Sequence, residues 1–388
     1  MNVLRTTAVF FMAALLGGCA IFGGDDETVD PPMELADFEA GVDVKRVMSA
    51  GLGDSGERLR LALRPVGDGT RVYAANAKGE ISAFDGDSGK RVWRTNIKAA
   101  LTAGPGVGDG RVVVAETNGT VVALDARSGD EIWRSDIAAE VLAPPVLGGE
   151  RVFVRTVDGR LLALRGSDGE QLWFVEQPVP ALSQRGVGAP VISGDSVVAG
   201  FDNGRIVSAN LISGEVTWEL PLGIASGRSD IERMVDADGA IAAVGNDLYL
   251  SGFQSRTAAV AAESGQALWA RELSSYAGLG VDWANVYLTL DDDRVVALTR
   301  NNGAQEWSHE LLLRRQLTAP ITFGEYVVVG DFEGYLHFIN ARTGTLAGRV
   351  RLSKAPIVNR PYVMADKVYA QAVDGAMAGY QIRTIERN

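Results

Sequence analysis

The sequence of 388 residues is poor in the side chains that most often form catalytic and metal sites. It contains one cysteine, Cys19, and two histidines, His309 and His337. Two histidines exclude a histidine-rich metal site, and a lone cysteine leaves no partner for a disulfide. Both histidines fall in predicted strands, where we interpret them as ordinary strand residues. The composition therefore predicts a protein without metal or other cofactor.

Basic residues are also in short supply. The chain has 37 Lys and Arg against 49 Asp and Glu, for a formal net charge of -12. Binding to nucleic acid needs clustered basic residues that neutralise phosphates, so the charge argues against a nucleic-acid partner. With 46% hydrophobic and 22% charged residues, the composition is that of a globular protein.

No apolar run is long enough to cross a bilayer. Arg5 and the apolar run from Ala8 to Leu16 form a signal peptide over residues 1–18, and the segment Leu16-Gly17-Gly18-Cys19 resembles the bacterial lipobox. That resemblance implies diacylation of Cys19, and several acyl chains anchor a protein stably. The alternative is an ordinary signal peptide with an incidental cysteine. From lipoprotein sorting, Ala20 in place of Asp implies the outer membrane, facing the periplasm. Residues 19–40, acidic and rich in Gly and Pro, are predicted to be a tether.

A sequence repeat of about 40 residues occurs along the rest of the chain. Its Gly-x-x-x-Trp step occurs at Gly89/Trp93, Gly129/Trp133, Gly169/Trp173, Gly214/Trp218, Gly265/Trp269 and Gly303/Trp307, and a seventh copy has Gly344 followed by Gly348. Alternating apolar runs flank each turn glycine, which is typical of a β-hairpin. We expect the tryptophans to pack between neighbouring sheets.

Two more strands precede each hairpin, and the first of them usually follows a proline. These prolines are Pro65, Pro105, Pro145, Pro190, Pro320 and Pro361. Proline suits an edge strand, so each unit is predicted to have four strands, A to D, with A at an edge. Eight units over residues 41–388 predict an all-β fold, an eight-bladed β-propeller with four-stranded antiparallel blades.

The last unit lacks its D strand, and the segment "VDVKRVMSAG" near the amino terminus can supply it. Aligned on the repeat, Val44 takes the tryptophan place and Met48 the apolar place four residues later. An amino-terminal strand in the last blade would close the ring and remove an open seam. Because Gly348 and Val44 are small for tryptophan places, we expect blades 7 and 8 to be the least tightly packed.

Three short motifs superficially resemble binding sites or carry several charges, but each is better explained as ordinary loop or turn structure. The glycine-rich "GPGVGDG" precedes a strand, whereas a phosphate loop precedes a helix. "DADG", at Asp236–Gly239, lacks the later ligands of a calcium loop. "DDD", at Asp291–Asp293, is predicted to be a solvated turn between strands B and C.

The pattern Ala-x-Asp-x-x-x-Gly-x-x-x-Trp resembles the repeat of quinoprotein dehydrogenases, which bind pyrroloquinoline quinone. That resemblance implies a dehydrogenase, but the paired cysteines of those enzymes are absent. The segments "LSQRGVGAP", "SDIERMVDADG" and "VVVGDFEGYLHFIN" resemble the BamB family, the lipoproteins of the β-barrel assembly machinery. This resemblance covers the whole mature chain. It implies a non-enzymatic scaffold that binds the POTRA domains of BamA and assists outer-membrane protein folding, with nascent outer-membrane proteins as further candidate partners.

The spacing of the repeat predicts where a partner binds. The connection from strand D to the next strand A is longest from Trp173 to Pro190, from Trp218 to Ile241 and from Val44 to Pro65. Insertions on one face of a repeat protein often form the binding face. The predicted partner-binding residues are Leu182, Gln184, Arg185, Arg233, Asp236 and Asp238.

An apolar side chain with both signs of charge around it suits a modest protein interface. The family resemblance independently implies that Leu182, Arg185, Asp236 and Asp238 contact BamA, while Gln184 stands where the family can carry a second leucine. Alternatively, the loops are merely long, and Arg185 pairs with Asp236 or Asp238. Two functions stay open: the scaffold, and a quinone-dependent dehydrogenase or other small-molecule binder that uses the central channel.

Overall fold

The computed structural model describes residues 30–53, 61–180, 182, 188–223, 237 and 239–385. Within these ranges the regular structure is β-strand. The strands up to the second blade are β1 (Val42–Gly51), β2 (Ala62–Leu63), β3 (Val66–Gly67), β4 (Arg71–Ala75), β5 (Glu80–Asp85), β6 (Arg91–Asn96), β7 (Leu101–Gly108), β8 (Arg111–Glu116), β9 (Thr120–Asp125) and β10 (Glu131–Asp136).

The next three blades contain β11 (Val146–Gly148), β12 (Arg151–Arg155), β13 (Arg160–Arg165), β14 (Gln171–Glu176), β15 (Val191–Ser193), β16 (Ser196–Gly200), β17 (Arg205–Asn210), β18 (Val216–Pro221), β19 (Ala242–Val244), β20 (Asp247–Leu250), β21 (Thr257–Ala261) and β22 (Ala267–Arg271). The last three contain β23 (Gly278–Val281), β24 (Asn285–Thr289), β25 (Val295–Thr299), β26 (Gln305–His309), β27 (Ile321–Phe323), β28 (Tyr326–Gly330), β29 (Tyr335–Asn340), β30 (Leu346–Arg351), β31 (Tyr362–Met364), β32 (Lys367–Gln371) and β33 (Ala376–Thr384).

These strands form eight antiparallel sheets, which confirms the predicted eight-bladed propeller. Strands β3 to β30 make blades 1 to 7 in sets of four, and β31 to β33 make blade 8 with β1. The short strand β2 pairs in parallel with β7 and adds a fifth strand to blade 2. Strands B and C, at the middle of each blade, are almost completely buried. The core therefore lies between the faces of neighbouring blades, as expected when sheets pack face to face.

Strand β1 closes the ring as the sequence predicted. It runs antiparallel to β33, from the pair Val42 and Thr384 to the pair Gly51 and Ala376. The alignment within β1 was wrong, however. A bulge between Arg46 and Met48 matches the bulge that precedes Trp93 in β6, so Met48 and not Val44 takes the tryptophan place. The spacing to an apolar residue four positions later fits Met48 and Leu52 as well as Val44 and Met48, and the pairing with β33 decides between the two alignments.

The tryptophans pack between blades, as predicted. The indole Nε1 of each of the six repeat tryptophans donates a hydrogen bond to a carbonyl of the next blade; for example, Trp133 reaches Gly166 at 2.8 Å. The ring also covers the C to D turn glycine of that blade. A Cβ added at Gly169 would lie 2.5 Å from the Trp133 ring, and Gly169 has a positive φ of 76°. Glycine is therefore required there both by conformation and by the approach of the ring.

Blade 7 has no tryptophan, yet its outer edge is filled. A Cβ added at Gly348 would lie 2.7 Å from a methyl of Val42 and 3.2 Å from one of Val44. These two β1 residues belong to a large core cluster that joins blades 7 and 8. The expectation of loose packing in these blades is therefore not supported, because a closure strand and not an indole occupies the space.

The end of the predicted tether lies against this edge. Met33 N–H donates to the Leu313 carbonyl at 3.0 Å, and Gly41 N–H donates to the Ala347 carbonyl at 2.8 Å. Between them, Leu35 and Phe38 pack against the core of blades 6 and 7. Residues Met33–Ala40 thus contact the propeller along strand β30.

Candidate functional site

The D to A connections and the B to C turns share one face of the ring, which we call the BC face. At this face the residue that follows each of several D strands donates its N–H to the glycine carbonyl of its own blade's B to C turn. The glycines are Gly79, Gly119, Gly159, Gly204, Gly334 and, in blade 8, Gly375. The opposite face, with the C to D turns, is called the CD face. All three long connections therefore leave and return at the BC face, as predicted.

Two of these connections flank the B to C turn of blade 4, which spans Phe201 to Gly204. At the start of the connection from blade 3, Gln177 accepts a hydrogen bond from the Asn203 amide at 3.1 Å. The connection to blade 5 begins with Leu222, whose N–H donates to Gly204. It returns through buried Ala237, whose N–H donates to the Phe201 carbonyl at 3.3 Å. One turn therefore holds the ends of both long loops.

A buried ion pair connects the blade 4 turn to blade 3. The Arg155 guanidinium at the end of β12 bonds to the Asp202 carboxylate in the turn of blade 4. Arg155 also lies over the Phe201 ring, 5.5 Å from its centroid. Both charged side chains are almost fully buried. Breaking such a pair by removing one partner leaves a buried charge, so this contact fixes blade 3 to blade 4 under the loops.

Apolar side chains are exposed in the connection from blade 3 to blade 4 and in the B to C turn of blade 3. Leu182 is 43% exposed, Val179 is 43% exposed and Val157 is 36% exposed. Val179 lies against the B to C turn of blade 3, because a Cβ added at Gly159 would lie 2.9 Å from a Val179 methyl, and Val157 belongs to the same turn. We call Val157, Val179 and Leu182 the apolar patch. The sequence identified Leu182 but missed the two valines, because no pattern distinguishes an exposed valine in a turn from a buried one.

The other predicted partner-binding residues fall outside the described part of the chain. These are Gln184, Arg185, Arg233, Asp236 and Asp238, and the predicted lipidation site, Cys19, does so as well. Whether Arg185 meets Asp236 or Asp238 therefore stays a prediction. The described ends of both loops lie next to each other at blade 4.

Both histidines are structural. His337 is fully buried in β29, where its Nε2 donates to Asp331 at 2.9 Å and its Nδ1 accepts from Arg349 at 3.3 Å. Burial lowers the pKa of His337 in spite of the carboxylate. His309 is buried in β26, and its Nδ1 donates to the Gly344 carbonyl at 2.8 Å. Burial likewise lowers the pKa of His309. Neither imidazole is placed to receive a substrate.

One of the acidic turns differs from its prediction. Asp291 and Asp292 are exposed, but Asp293 is 3% exposed. Its carboxylate accepts hydrogen bonds from the backbone N–H groups of Gln316 and Leu317, at 2.6 and 2.8 Å. Asp293 is therefore a buried cap of the connection between blades 6 and 7, since these backbone donors would otherwise be unpaired.

Among the described residues, no three His, Cys, Asp or Glu side chains are grouped so that they could hold a metal ion. Nor does the described part of the chain contain a helix with the length and apolar character of a membrane span.

Comparison with known proteins identifies close relatives. A family model described as outer membrane protein assembly factor BamB matches residues 77–309. The chain is 48% identical to the outer membrane protein assembly factor BamB of Alkalilimnicola ehrlichii, over 97% of both chains. It is 44% identical to that of Pseudomonas aeruginosa, over 98% of this chain and 99% of the relative.

Solved structures agree with the fold. The crystal structure of BamB from Moraxella catarrhalis superposes with a TM-score of 0.80 at 29% identity, covering 87% of this chain and 100% of that one. Quinohemoprotein alcohol dehydrogenase from Comamonas testosteroni superposes with a TM-score of 0.71 at 13% identity, covering 89% of this chain and 78% of the enzyme. At that identity the enzyme shares the fold alone.

Proposed function

The chain belongs to the family of the outer membrane protein assembly factor BamB, and from that premise we propose that its BC face at blades 3 to 5 docks on the POTRA domains of BamA. The protein is an assembly factor and not an enzyme. In the proposal it is a scaffold that holds the assembly machinery together while outer-membrane proteins fold and insert. The observation that supports this location is that the blade 4 turn binds the described ends of both long loops, one of which contains Val179 and Leu182 of the apolar patch.

The make-up of this surface suits a protein partner. The apolar patch offers side chains that are partly exposed and can be covered on binding. The loops that flank it contain Arg185, Arg233, Asp236 and Asp238, so both signs of charge are available for a rim. Interfaces combine an apolar centre with a polar rim in this way. The buried Arg155 pair keeps the base of the surface rigid, which reduces the entropy lost on docking.

The amino terminus supplies the proposed anchor. Residues 1–18 are the signal peptide, Cys19 carries the lipid, and the propeller faces the periplasm. Because Met33–Ala40 contact the propeller, the spacer in this proposal ends before Met33. It is therefore shorter than the segment 19–40 expected from sequence.

A first experiment tests the apolar patch. Leu182→Asp places a charge where we expect an apolar contact, so it should weaken binding of the lipid-free protein to the periplasmic part of BamA about tenfold, as expected for a loss of about 1.4 kcal/mol. Calorimetry measures the dissociation constant. The matched control is Ile212→Asp. Ile212 lies in the C to D turn of blade 4, on the CD face, and is 70% exposed. Equal affinity of the two variants would exclude the patch from the interface.

A second experiment tests the charges. Reversing Arg185 to Glu removes one attraction and adds a repulsion, and loss of one member of a desolvated charge pair costs roughly 2–5 kcal/mol in binding. Affinity for BamA should fall at least about tenfold. Arg342→Glu, an exposed arginine on the CD face of blade 7, is the control. If Arg185→Glu binds as tightly as the parent while remaining folded by circular dichroism, the docking surface lies elsewhere.

A further inference from the structure

The central channel contains a cavity of about 250 Å³ at the level where the A strands begin. Its described lining comes mainly from the ends of the D to A connections, among them Gly188–Val191, Gly239–Ile241 and Pro356–Arg360. Most of these residues are small or apolar. The exceptions with charge are two arginines, Arg64 and Arg360, and no Asp or Glu is among the described lining residues.

This sign of charge is unexpected for the chain. Acidic residues outnumber basic ones by 49 to 37. Many of the described arginines form an ion pair with a nearby carboxylate, as Arg205 does with Glu219 at 3.0 Å. Within the described residues, neither Arg64 nor Arg360 has such a partner. Two like charges that share one cavity repel each other, and burying a charge without a partner is expensive.

The surroundings of Arg360 show that its guanidinium belongs to the cavity. Arg360 precedes β31 in blade 8, yet its Nη2 lies 3.5 Å from the Cβ position of Gly280, in the A strand of blade 6. The side chain therefore extends across the inner wall of the channel. Its Nε is buried and has no hydrogen-bond partner among the residues that the structure describes. Buried donors are nearly always paired in folded proteins, so this one calls for an acceptor.

The electrostatics agree with the geometry. Burial lowers the pKa of Arg64, and burial together with the charge of Arg64 lowers the pKa of Arg360 to about 10. Arginine side chains stay protonated in proteins at neutral pH. Next to the two arginines of the cavity, the Asn359 amide is held by the carbonyls of Leu61 and Leu63, at 2.9 and 3.0 Å. This contact fixes the segment that carries Arg360 to the segment that carries Arg64.

We infer that the channel holds an oxyanion of the carboxylate or phosphate class between Arg64 and Arg360. Guanidinium groups bind such anions through paired N–H donors. The volume lies below the usual range for drug-sized ligands, about 300–1,000 Å³. It therefore suits a small free anion or one acidic side chain. An anion would accept from the Arg360 Nε and neutralise both cations, which accounts for the arginines without an acid in the lining.

Thermal unfolding of the lipid-free protein tests this site. Inorganic phosphate, succinate and a triglutamate peptide are each titrated at constant ionic strength, with sodium chloride as the reference. A ligand at a hundred times its dissociation constant should raise the Tm by about 3–4 °C for a chain of this size. A shift with phosphate or succinate identifies a free anion as sufficient. A shift with the peptide alone identifies an acidic protein segment.

Neutral variants separate binding from a structural role. Arg360→Gln and Arg64→Gln should each need at least about ten times more ligand than the parent to reach the same Tm shift. Arg342→Gln, on the CD face, should need no more than the parent. Without anion, Arg360→Gln should melt at the parent's Tm or above it, because an uncompensated charge is removed. The inference is overturned if none of the three ligands shifts the Tm. It is also overturned if the Gln variants respond like the parent, or if they melt lower without anion and keep the full shift.

Discussion

The ring closure makes a quantitative prediction at Met48. This side chain is 6% exposed and lies in the core between blades 8 and 1. It covers the turn glycine of blade 1: a Cβ added at Gly89 would be 2.9 Å from the Met48 Cγ. Met48 thus does for the last junction what a tryptophan does for six others. Replacing Met48 with Ala should leave a cavity at the one junction that joins the two ends of the chain.

The expected magnitude follows from core substitutions in other proteins. A buried Met→Ala change costs about 2–5 kcal/mol of unfolding free energy. Unfolding entropy is roughly 2.1 cal/mol/K per residue, which gives about 0.7 kcal/mol/K for a body of roughly 350 residues. Met48→Ala should therefore lower the Tm by about 3–7 °C. Val92→Ala is the control, because Val92 is also in a D strand but is 45% exposed, and its loss should change the stability by less than about 0.5 kcal/mol.

Two measurements check this prediction. Circular dichroism gives the Tm of each variant, and native-state hydrogen exchange shows whether β1 and β33 open before the rest of the propeller. In Met48→Ala we expect faster exchange along the β1 and β33 pairing than in blade 4. A Tm change as small as that of Val92→Ala, with exchange unchanged at β1, would show that Met48 does not secure the closure.

Three further predictions concern single residues. Gly129→Ala should destabilise the protein by about 1–3 kcal/mol more than Gly110→Ala in chemical denaturation, because both glycines have a positive φ but only at Gly129 would the new Cβ meet a ring, Trp93, at 2.6 Å. For His309, burial lowers the pKa, so the unfolded chain takes up the proton first: stability should be constant above about pH 6.5 and fall as the pH drops below it. His309→Phe should remove up to about 1.4 kcal/mol per pH unit of that slope in unfolding experiments between pH 5 and 7; an unchanged slope would contradict the assignment. Cys19→Ser should release the protein from the membrane fraction, as judged by fractionation and immunoblotting, and continued sedimentation with membranes would refute lipid anchoring.

Most of the fold could be predicted from the sequence because the repeat carries it. Blades 1 to 6 repeat the same turn glycine, tryptophan and alternating strands, so local pattern and tertiary contact coincide. The packing of Trp133 on Gly169 needs no information from elsewhere in the chain. The closing strand was also predictable, since counting strands left one missing at the carboxyl end.

What the sequence could not provide depends on pairing between distant segments. Met48 and Leu52 fit the repeat spacing as well as Val44 and Met48 do, so only the pairing with β33 shows that Met48 takes the tryptophan place. Asp293 was expected in solvent, but it is buried because the connection between blades 6 and 7 folds back over it. The exposed valines of the apolar patch were missed for the same reason. Burial is decided by which segments meet, and periodicity does not report it for a turn.

The departures from the repeat share a physical explanation. Six junctions use a tryptophan on a glycine, and these positions need nothing beyond the neighbouring blade. Where Gly348 replaces the tryptophan, the space is taken by Val42 and Val44 of the closing strand, and Phe38 from the preceding segment packs nearby. Two of the three lengthened D to A connections are held at their described ends by the blade 4 turn, outside the packing between blades. The repeated positions thus stabilise the ring by themselves, which leaves the irregular positions free to fasten the amino-terminal segment and to form a surface for a partner.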